Sequence, residues 1–364
     1  MTPGVVSRRV YIDWLRGLAV VIMIEAHTID AWTRLDVRQS STFHGLQFLA
    51  GWAAPLFLFL AGVSVALSGA AQLDRLRRTG AVSRSLDTLR AVGWSLQKRG
   101  WQIFGLALLF RAQSYLLVPG ARWSLMLKPD ILNVLGLGMV LSAFCWSRAE
   151  SRVPRTAWLL APAALILAIA SLAPGWAWPA ALPPRIEAYL RINGAGTFSL
   201  FPWAGMVCVG AFVGQTIAEP RPVTDERRFH LRLAAAGALL AVAAYAGSFA
   251  SSPFPHSSFW TTSISWFVLR VGVILVLLAL SWGWMARPTA GRWSPMVVFG
   301  RTSLFVYWVH VEIVYGLFTL PLKQALPIPW VLVAYLAFTA VMLGAAVLWL
   351  RRPRTPWIPA RLKA

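Results

Sequence analysis

The sequence predicts an all-α integral membrane protein, a single bundle of about ten transmembrane helices with both termini in the cytoplasm. Three observations predict it. Hydrophobic residues make up 58% of the chain and charged residues only 13%, proportions foreign to soluble domains. Apolar stretches long enough to cross a hydrocarbon core recur along the whole length. The net charge of +21 sits mostly in the short segments between those stretches, and mainly on alternate ones. Cations placed in that way orient helices and contact anionic lipid, so the expected partner is the lipid bilayer and not nucleic acid. The 20 tryptophans suit interfacial belts. Cys145 and Cys208 lie inside apolar runs with no metal-ligand spacing around them; they read as small core residues, and no metal is expected. The chain reads as one domain, 1–364, made of a cytoplasmic segment 1–10, a helical bundle 11–350 and a basic tail 351–364.

The first apolar stretch, Tyr11–Ala31, is the most informative because Asp13, Arg16, Glu25, His27 and Asp30 all fall inside it. Each would cost roughly 2.5–3.5 kcal/mol at a bilayer centre, so these groups must face protein or a water-filled cavity. At about 100° per residue, Arg16 and His27 return to nearly the same azimuth about three turns apart. Asp13 and Asp30 flank that stripe at helical spacing, while Glu25 falls on the opposite side. The run SRRVYID before it resembles a twin-arginine or signal-anchor start, but a removable signal would not carry Glu25, His27 and Asp30 in its apolar core. The stretch is therefore expected to be a retained first span.

The further spans are expected near Leu46–Ala70, Trp101–Val118, Ile131–Ser147, Thr156–Ala173, Phe198–Ile217, Leu231–Ala250, Thr262–Met285, Met296–Phe318 and Pro329–Leu350. With the amino terminus inside, Lys and Arg favour the cytoplasmic segments about threefold, including Arg8, Arg84, Arg90, Arg152, Arg292, Arg354, Arg361 and Lys363; the outer side holds Arg111, Arg122, Lys128, Lys323 and a few more. The stretch Gln72–Arg99 is expected to be the longest cytoplasmic connection. It reads either as a lipid-facing segment or as a contributor, through Arg99, to a phosphate-rich cosubstrate site. Pro174–Gly196, rich in Pro, Gly and Trp, reads as an outer lid or a structureless loop. Gly62-Val63-Ser64 begins like a nucleophile elbow, but its apolar surroundings point to close helix packing.

Several other polar groups lie within apolar runs. His310 and Glu312 sit in the ninth span with Tyr307 one turn earlier, and Arg270 sits in the eighth, where it needs an anionic or carbonyl partner; Asp30, Glu25 and Glu312 are the available acids. His310 fits a structural hydrogen bond as readily as a chemical role. His27 stands out, since it combines an imidazole with Asp30 at helical spacing in a costly location. Three classes share this stripe: an enzyme, a proton-coupled transporter with an ionisable track, and a membrane assembly protein whose charges fix packing.

The runs IDWLRGLAVVIMIEAH, AAPLFLFLAGVSVAL, PDILNVLGLGM, FPWAGMVCVGAFVG and GRTSLFVYWVHVEIVYG separate these classes. In that order the chain resembles the bacterial branch of the heparan-α-glucosaminide N-acetyltransferase catalytic-domain family, and the spacing of Arg16 and His27 is also seen in the related acyltransferase-three proteins. The resemblance implies a transmembrane acyltransferase that takes an acetyl group from cytosolic acetyl-CoA and places it on a glycan or amine acceptor outside, with the histidine at position 27 carrying the chemistry. On that reading His27 is a general base or acyl carrier and Asp30 orients it. Arg16, Asn133 and Arg99 are the candidate acetyl-CoA contacts: Arg16 for pantetheine or phosphate, with a structural pair to Asp13 as its alternative, and Asn133 for the acyl carbonyl. The chain begins its first span at Tyr11 and so is expected to lack the large extracytoplasmic portion of the animal enzyme; heparan-derived glucosamine is not implied as the acceptor. A bacterial cytoplasmic membrane is the expected location, and a homodimer is compatible with the sequence.

Overall fold

Over their described residues the expected apolar segments fall on helix, although Leu46–Ala70 is interrupted at Gly51–Trp52, the ninth is broken, and two helices run past their apolar cores. The structure, a computed structural model, describes residues 9–80, 86–117, 123–148, 154–191, 198–287 and 293–352. The segment 1–8, most of the basic tail (353–364) and the loop cations Arg8, Arg84, Arg122, Arg152, Arg292, Arg354, Arg361 and Lys363 lie outside the described residues. The helices are α1 (Val10–Trp32), α2 (Ser41–Ala50), α3 (Ala53–Arg78), α4 (Leu86–Leu117), α5 (Ile131–Trp146), α6 (Arg155–Leu172), α7 (Pro184–Leu190), α8 (Leu200–Ala218), α9 (Val223–Gly247), α10 (Ile264–Met285), α11 (Pro295–Arg301), α12 (Ser303–Tyr315) and α13 (Ile328–Arg351). Among the described residues the only extended pairing is a single bridge between Thr33 and Leu326.

Six described segments are long and apolar enough to cross a membrane: Ser41–Arg78, Arg155–Gly175, Leu200–Ala218, Asp225–Gly247, Ile264–Met285 and Ile328–Arg351. The ninth expected span is α11 and α12, bent against each other by 88°. Thr302 makes the break: its φ of −115° and ψ of 14° leave the helical region, and its hydroxyl donates back to the Val298 carbonyl. α1 carries the ionisable stripe, and α5 has only 16 residues. The chain is thus an all-helical integral membrane protein.

Gln72–Arg99 is not the long connection its charge implied. α3 continues to Arg78 and α4 begins at Leu86, so most of that stretch is helix. Leu, Ala, Arg, Gln and Lys are all strong helix formers, and their polarity marks the end of the apolar core and not the end of the helix. Asp74 and Arg78, 2.7 Å apart at i,i+4, and Asp87 and Arg90, 3.7 Å apart at i,i+3, reinforce the extensions. Pro174–Gly196 is likewise ordered over its described part, with 3₁₀ turns at Ala173–Gly175 and Trp178–Ala181 followed by α7; residues 192–196 lie outside the described ones.

The chain divides into two compact units, Ala54–Ala286 and Arg9–Ala53 with the segment from Arg287 onward. In the first, α3 and α8 cross at backbone contact. A Cβ at Gly210 would collide with the Phe59 carbonyl and one at Gly214 with that of Val63, while Gly62 faces the Val207 carbonyl. Small residues four apart on one helix therefore meet backbone four apart on the other, the packing that membrane helices use in place of a hydrophobic drive. This accounts for Gly62-Val63-Ser64, whose serine hydroxyl donates to the Leu60 carbonyl at 2.7 Å. In the second unit α1 packs on α2, α11, α12 and α13. Gly17 lies against the Met296 carbonyl and Gly300 against that of Asp13, which sets α1 and α11 in close contact.

Candidate active site

The second unit assembles the site from α1 and α12. The end of α1 presents His27 and Asp30 one turn apart, and the last residue of α12, Tyr315, reaches both. The Tyr315 hydroxyl lies 3.1 Å from His27 Nδ1 and donates to Asp30 Oδ2 at 2.9 Å. A phenol has one proton, and here it goes to the carboxylate; the phenol oxygen can then only accept from Nδ1–H. That places a proton on Nδ1 of His27, and in the neutral ring the basic lone pair is then on Nε2. A hydrogen-bonded path from Asp30 to the ring thus runs through the Tyr315 hydroxyl.

Backbone pairing fixes the two halves of this arrangement. Beyond the end of α1, the N–H of Gln324 donates to the Ala31 carbonyl (3.0 Å), that of Leu326 to Trp32 (3.0 Å) and that of Arg34 to Leu326 (2.9 Å). The end of α12 is closed by the Thr319 hydroxyl, which donates to the carbonyls of Ile313 and Val314. Asp30 is an acid in the last turn of a helix, where the dipole disfavours it. Arg38 offsets this from the following turn: it donates to the carbonyls of Asp30 and Thr33, and its Nη1 lies 3.9 Å from Asp30 Oδ1. Tyr315 and Asp30 are exposed, His27 is half-buried and His310 is fully buried, so the relay runs from an accessible rim into the core.

His310 lies beside His27, with ring centroids 5.1 Å apart. Its Nδ1 is 2.7 Å from the Val306 carbonyl, which holds the Nδ1–H tautomer and leaves Nε2 buried without a hydrogen-bond partner. Tyr307 supports it, ring centroid 5.9 Å away. Asp13 is buried and pairs with Arg16 at 3.3 Å, the structural alternative considered for that arginine. Glu25 is 3% exposed with neither carboxylate oxygen hydrogen-bonded, and Oε1 of Glu312 is buried in the same condition.

The remaining candidates belong to the first unit. Arg270 is buried in α10 with its guanidinium carbon 4.3 Å from the ring centroid of Trp266, one turn earlier; the acids proposed for it from sequence all lie in the other unit. Arg99 is exposed on α4 and reaches Gln102 at 3.4 Å. Asn133 is fully buried and caps α5: Asp130 is the N-cap residue, and the Asp130 N–H donates to Asn133 Oδ1 at 3.0 Å. Sequence reasoning missed Tyr315 and Arg38. Tyr315 lies five residues beyond His310, off its helical face, and its contact with His27 joins residues 288 positions apart, so no spacing rule could reach it.

No curated protein matches the chain. Residues 8–251, more than half of its length, match the family described as heparan-α-glucosaminide N-acetyltransferase, catalytic. The matched stretch contains α1 with Asp13, Arg16, Glu25, His27 and Asp30, together with Asn133 in α5. It ends before α11 and α12, so the run GRTSLFVYWVHVEIVYG and the residues His310, Glu312 and Tyr315 lie beyond it. A family match across that stretch, on a helical membrane fold whose first helix carries the imidazole and carboxylate of the relay, is sufficient for assignment: the chain belongs to the heparan-α-glucosaminide N-acetyltransferase catalytic family.

Proposed function

We propose that this member of a membrane acyltransferase family moves an acetyl group from cytosolic acetyl-CoA to an amino sugar, or another glycan or amine, on the outer side of a bacterial cytoplasmic membrane. The observation that supports this reading is the chain from His27 through Tyr315 to Asp30. It supplies what acyl transfer from a thioester needs, a neutral imidazole oriented as a general base whose protonated form is stabilised. As the acceptor nitrogen or oxygen attacks the thioester carbonyl carbon, its proton passes to His27 Nε2. The positive charge that develops is met at Nδ1–H by Tyr315 and, through it, by the Asp30 carboxylate. When the adduct collapses, the C–S bond breaks and the CoA thiolate takes the proton from Nε2. An amine acceptor has a second N–H to place, and the unsatisfied Nε2 of His310 is the acceptor for it. Transfer through an acetylated His27 is the alternative route over the same residues. Arg16, in its ion pair with Asp13, is the group of this unit assigned to the CoA moiety.

Thermal shift of the detergent-purified protein is the test, with acetyl-CoA against free CoA and ATP. Acetyl-CoA is expected to stabilise the protein saturably, RT ln(1 + [L]/Kd) being about 2.7 kcal/mol at a hundredfold excess over Kd. Labelled acetyl is then expected to reach an amino-sugar acceptor with wild-type protein and not with His27→Ala, at unchanged melting temperature. Absence of stabilisation at millimolar acetyl-CoA would move the reading to the proton-coupled transporter, for which the unpartnered Glu25 carboxylate is the specific observation.

A further inference from the structure

The first unit contains a second concentration of charge that acyl transfer at His27 does not use. It is built where α4, the 3₁₀ turn Trp123–Leu127, the start of α5 and α7 meet. Both oxygens of Asp130 are engaged there: Oδ1 accepts from the Ile131 N–H at 2.6 Å, and Oδ2 lies 3.0 Å from Arg111 Nη2. Lys128 stands two residues before Asp130, and Arg185 lies in the first turn of α7. Burial holds the Lys128 ammonium below its ordinary pKa; the charges of Arg111 and Arg185 act in the same direction and only Asp130 opposes them. Tyr189, also on α7, senses Arg111 and Asp130, and burial raises its pKa. The neighbouring Glu187 and Arg191 pair with each other at 2.6 Å, and Arg191 donates to the Trp176 carbonyl, tying α7 to the turn before it.

Two features of this cluster point outward to a ligand. Arg111 pairs with Asp130, and the charges of Arg111, Arg185 and Asp130 all act on Lys128, so these four groups together carry an excess of positive charge that the neutral Glu187–Arg191 pair leaves unchanged. In addition, two N–H donors are buried with no acceptor among the described residues: Nε of Arg111, and Nδ2 of Asn133, whose residue is 0% exposed and whose Oδ1 is already held by the Asp130 N–H. Buried donors without acceptors cost stability, and clustered cations at reduced hydration cost more; an anion with several acceptor oxygens relieves both. The donor assigned from sequence to an acyl carbonyl thus belongs to a side chain held by Asp130, the residue that pairs with Arg111.

We propose that Arg111, Lys128, Asn133 and Arg185 form a binding site for an oxyanion group of the phosphate or carboxylate class, carried by a soluble ligand or by a lipid headgroup. The site does not depend on acyl transfer, and its test reads binding alone. Full-length protein in nanodiscs of phosphatidylcholine would be titrated with inorganic phosphate at constant ionic strength against chloride, following the melting temperature. A second arm replaces part of the lipid with phosphatidylglycerol. The double variant Lys128→Gln, Arg185→Gln is expected to weaken the stabilising response by about tenfold or more. Without probe it should melt at or above the wild-type temperature, because unliganded cations are a cost; a purely structural ion network would instead lose stability. Lys128→Arg keeps the charge and should retain the response. A response to phosphate that the double variant loses identifies a soluble ligand, and one seen only with phosphatidylglycerol and lost in the variant identifies a headgroup. No response in either arm, or a response that the double variant retains, overturns the site.

Discussion

Tyr315 carries one atom on which the relay depends, and Tyr315→Phe removes it. The ring is exposed at the end of α12, so the fold should survive. Loss of the hydroxyl leaves His27 Nδ1–H without its acceptor and uncouples Asp30, which is expected to lower kcat by about a hundredfold with little change in KM, since the bond matters most when the imidazole is charged. Steady-state kinetics of the purified variant would show this, and a rise in KM at constant kcat would instead make Tyr315 a binding residue. Asp30→Asn, whose carbonyl can still accept from the phenol, should cost less than Tyr315→Phe. At this scale the sequence was informative along one helix only. The azimuths of Arg16, His27 and Asp30 followed from helical arithmetic, and so did the Asp13–Arg16 pair. Tyr315 and Arg38 were invisible because one joins α1 across 285 positions and the other reaches backbone carbonyls, which carry no sequence signature.

Among the elements, the crossing of α3 and α8 leaves the least room for change. Gly210→Val places a branched side chain against the Phe59 carbonyl, where backbone would have to yield, and should destabilise by roughly 1–3 kcal/mol or more. Gly105 on α4 has open space where a methyl group would project, with nothing within 4 Å, so Gly105→Ala should be neutral or stabilise by up to about 1 kcal/mol through helix propensity. Thermal unfolding of the two variants in one detergent makes the comparison, and equal shifts would contradict the packing described. The apolar runs announced each helix, but two features of their shape escaped. Thr302 is an ordinary residue in an apolar stretch, and its role in the 88° bend depends on α11 lying flat against α1 through Gly17 and Gly300. The basic ends of α3 and α4 looked like loop because hydropathy reports the surrounding solvent, not the hydrogen bonding of the chain.

For the whole molecule the distribution of cations makes the broadest prediction. If both termini are cytoplasmic, a single cysteine placed at Lys323 should react with an impermeant maleimide in intact cells, and one placed at Arg90 only after permeabilisation; both positions are exposed. Cys145 and Cys208 are buried, which keeps the background low. The opposite labelling pattern would invert the protein and place the His27 relay on the cytoplasmic side. Composition alone was enough for the class, because no soluble core accommodates so much apolar surface. The number of spans was less accessible: length and apolarity recover six described segments, while α1 is masked by the ionisable residues that make it interesting.

The backbone clasp between the end of α1 and the approach to α13 bears on how this protein can vary. Gln324 and Arg34 contribute their N–H groups to it and Leu326 both its N–H and its carbonyl, so the alignment of His27 and Asp30 with Tyr315 is held by backbone atoms, whose N–H donors every residue except proline supplies. A saturation-mutagenesis library over 324–326, scored by growth or acetyl transfer, should therefore be permissive to side-chain chemistry and strongly intolerant of proline at 324 and 326. Gln324 adds one refinement, since its φ of 53° lies in the left-handed region and should enrich for glycine and asparagine. Lineages can then reshape the side chains beside the relay while the alignment of His27, Asp30 and Tyr315 is inherited unchanged.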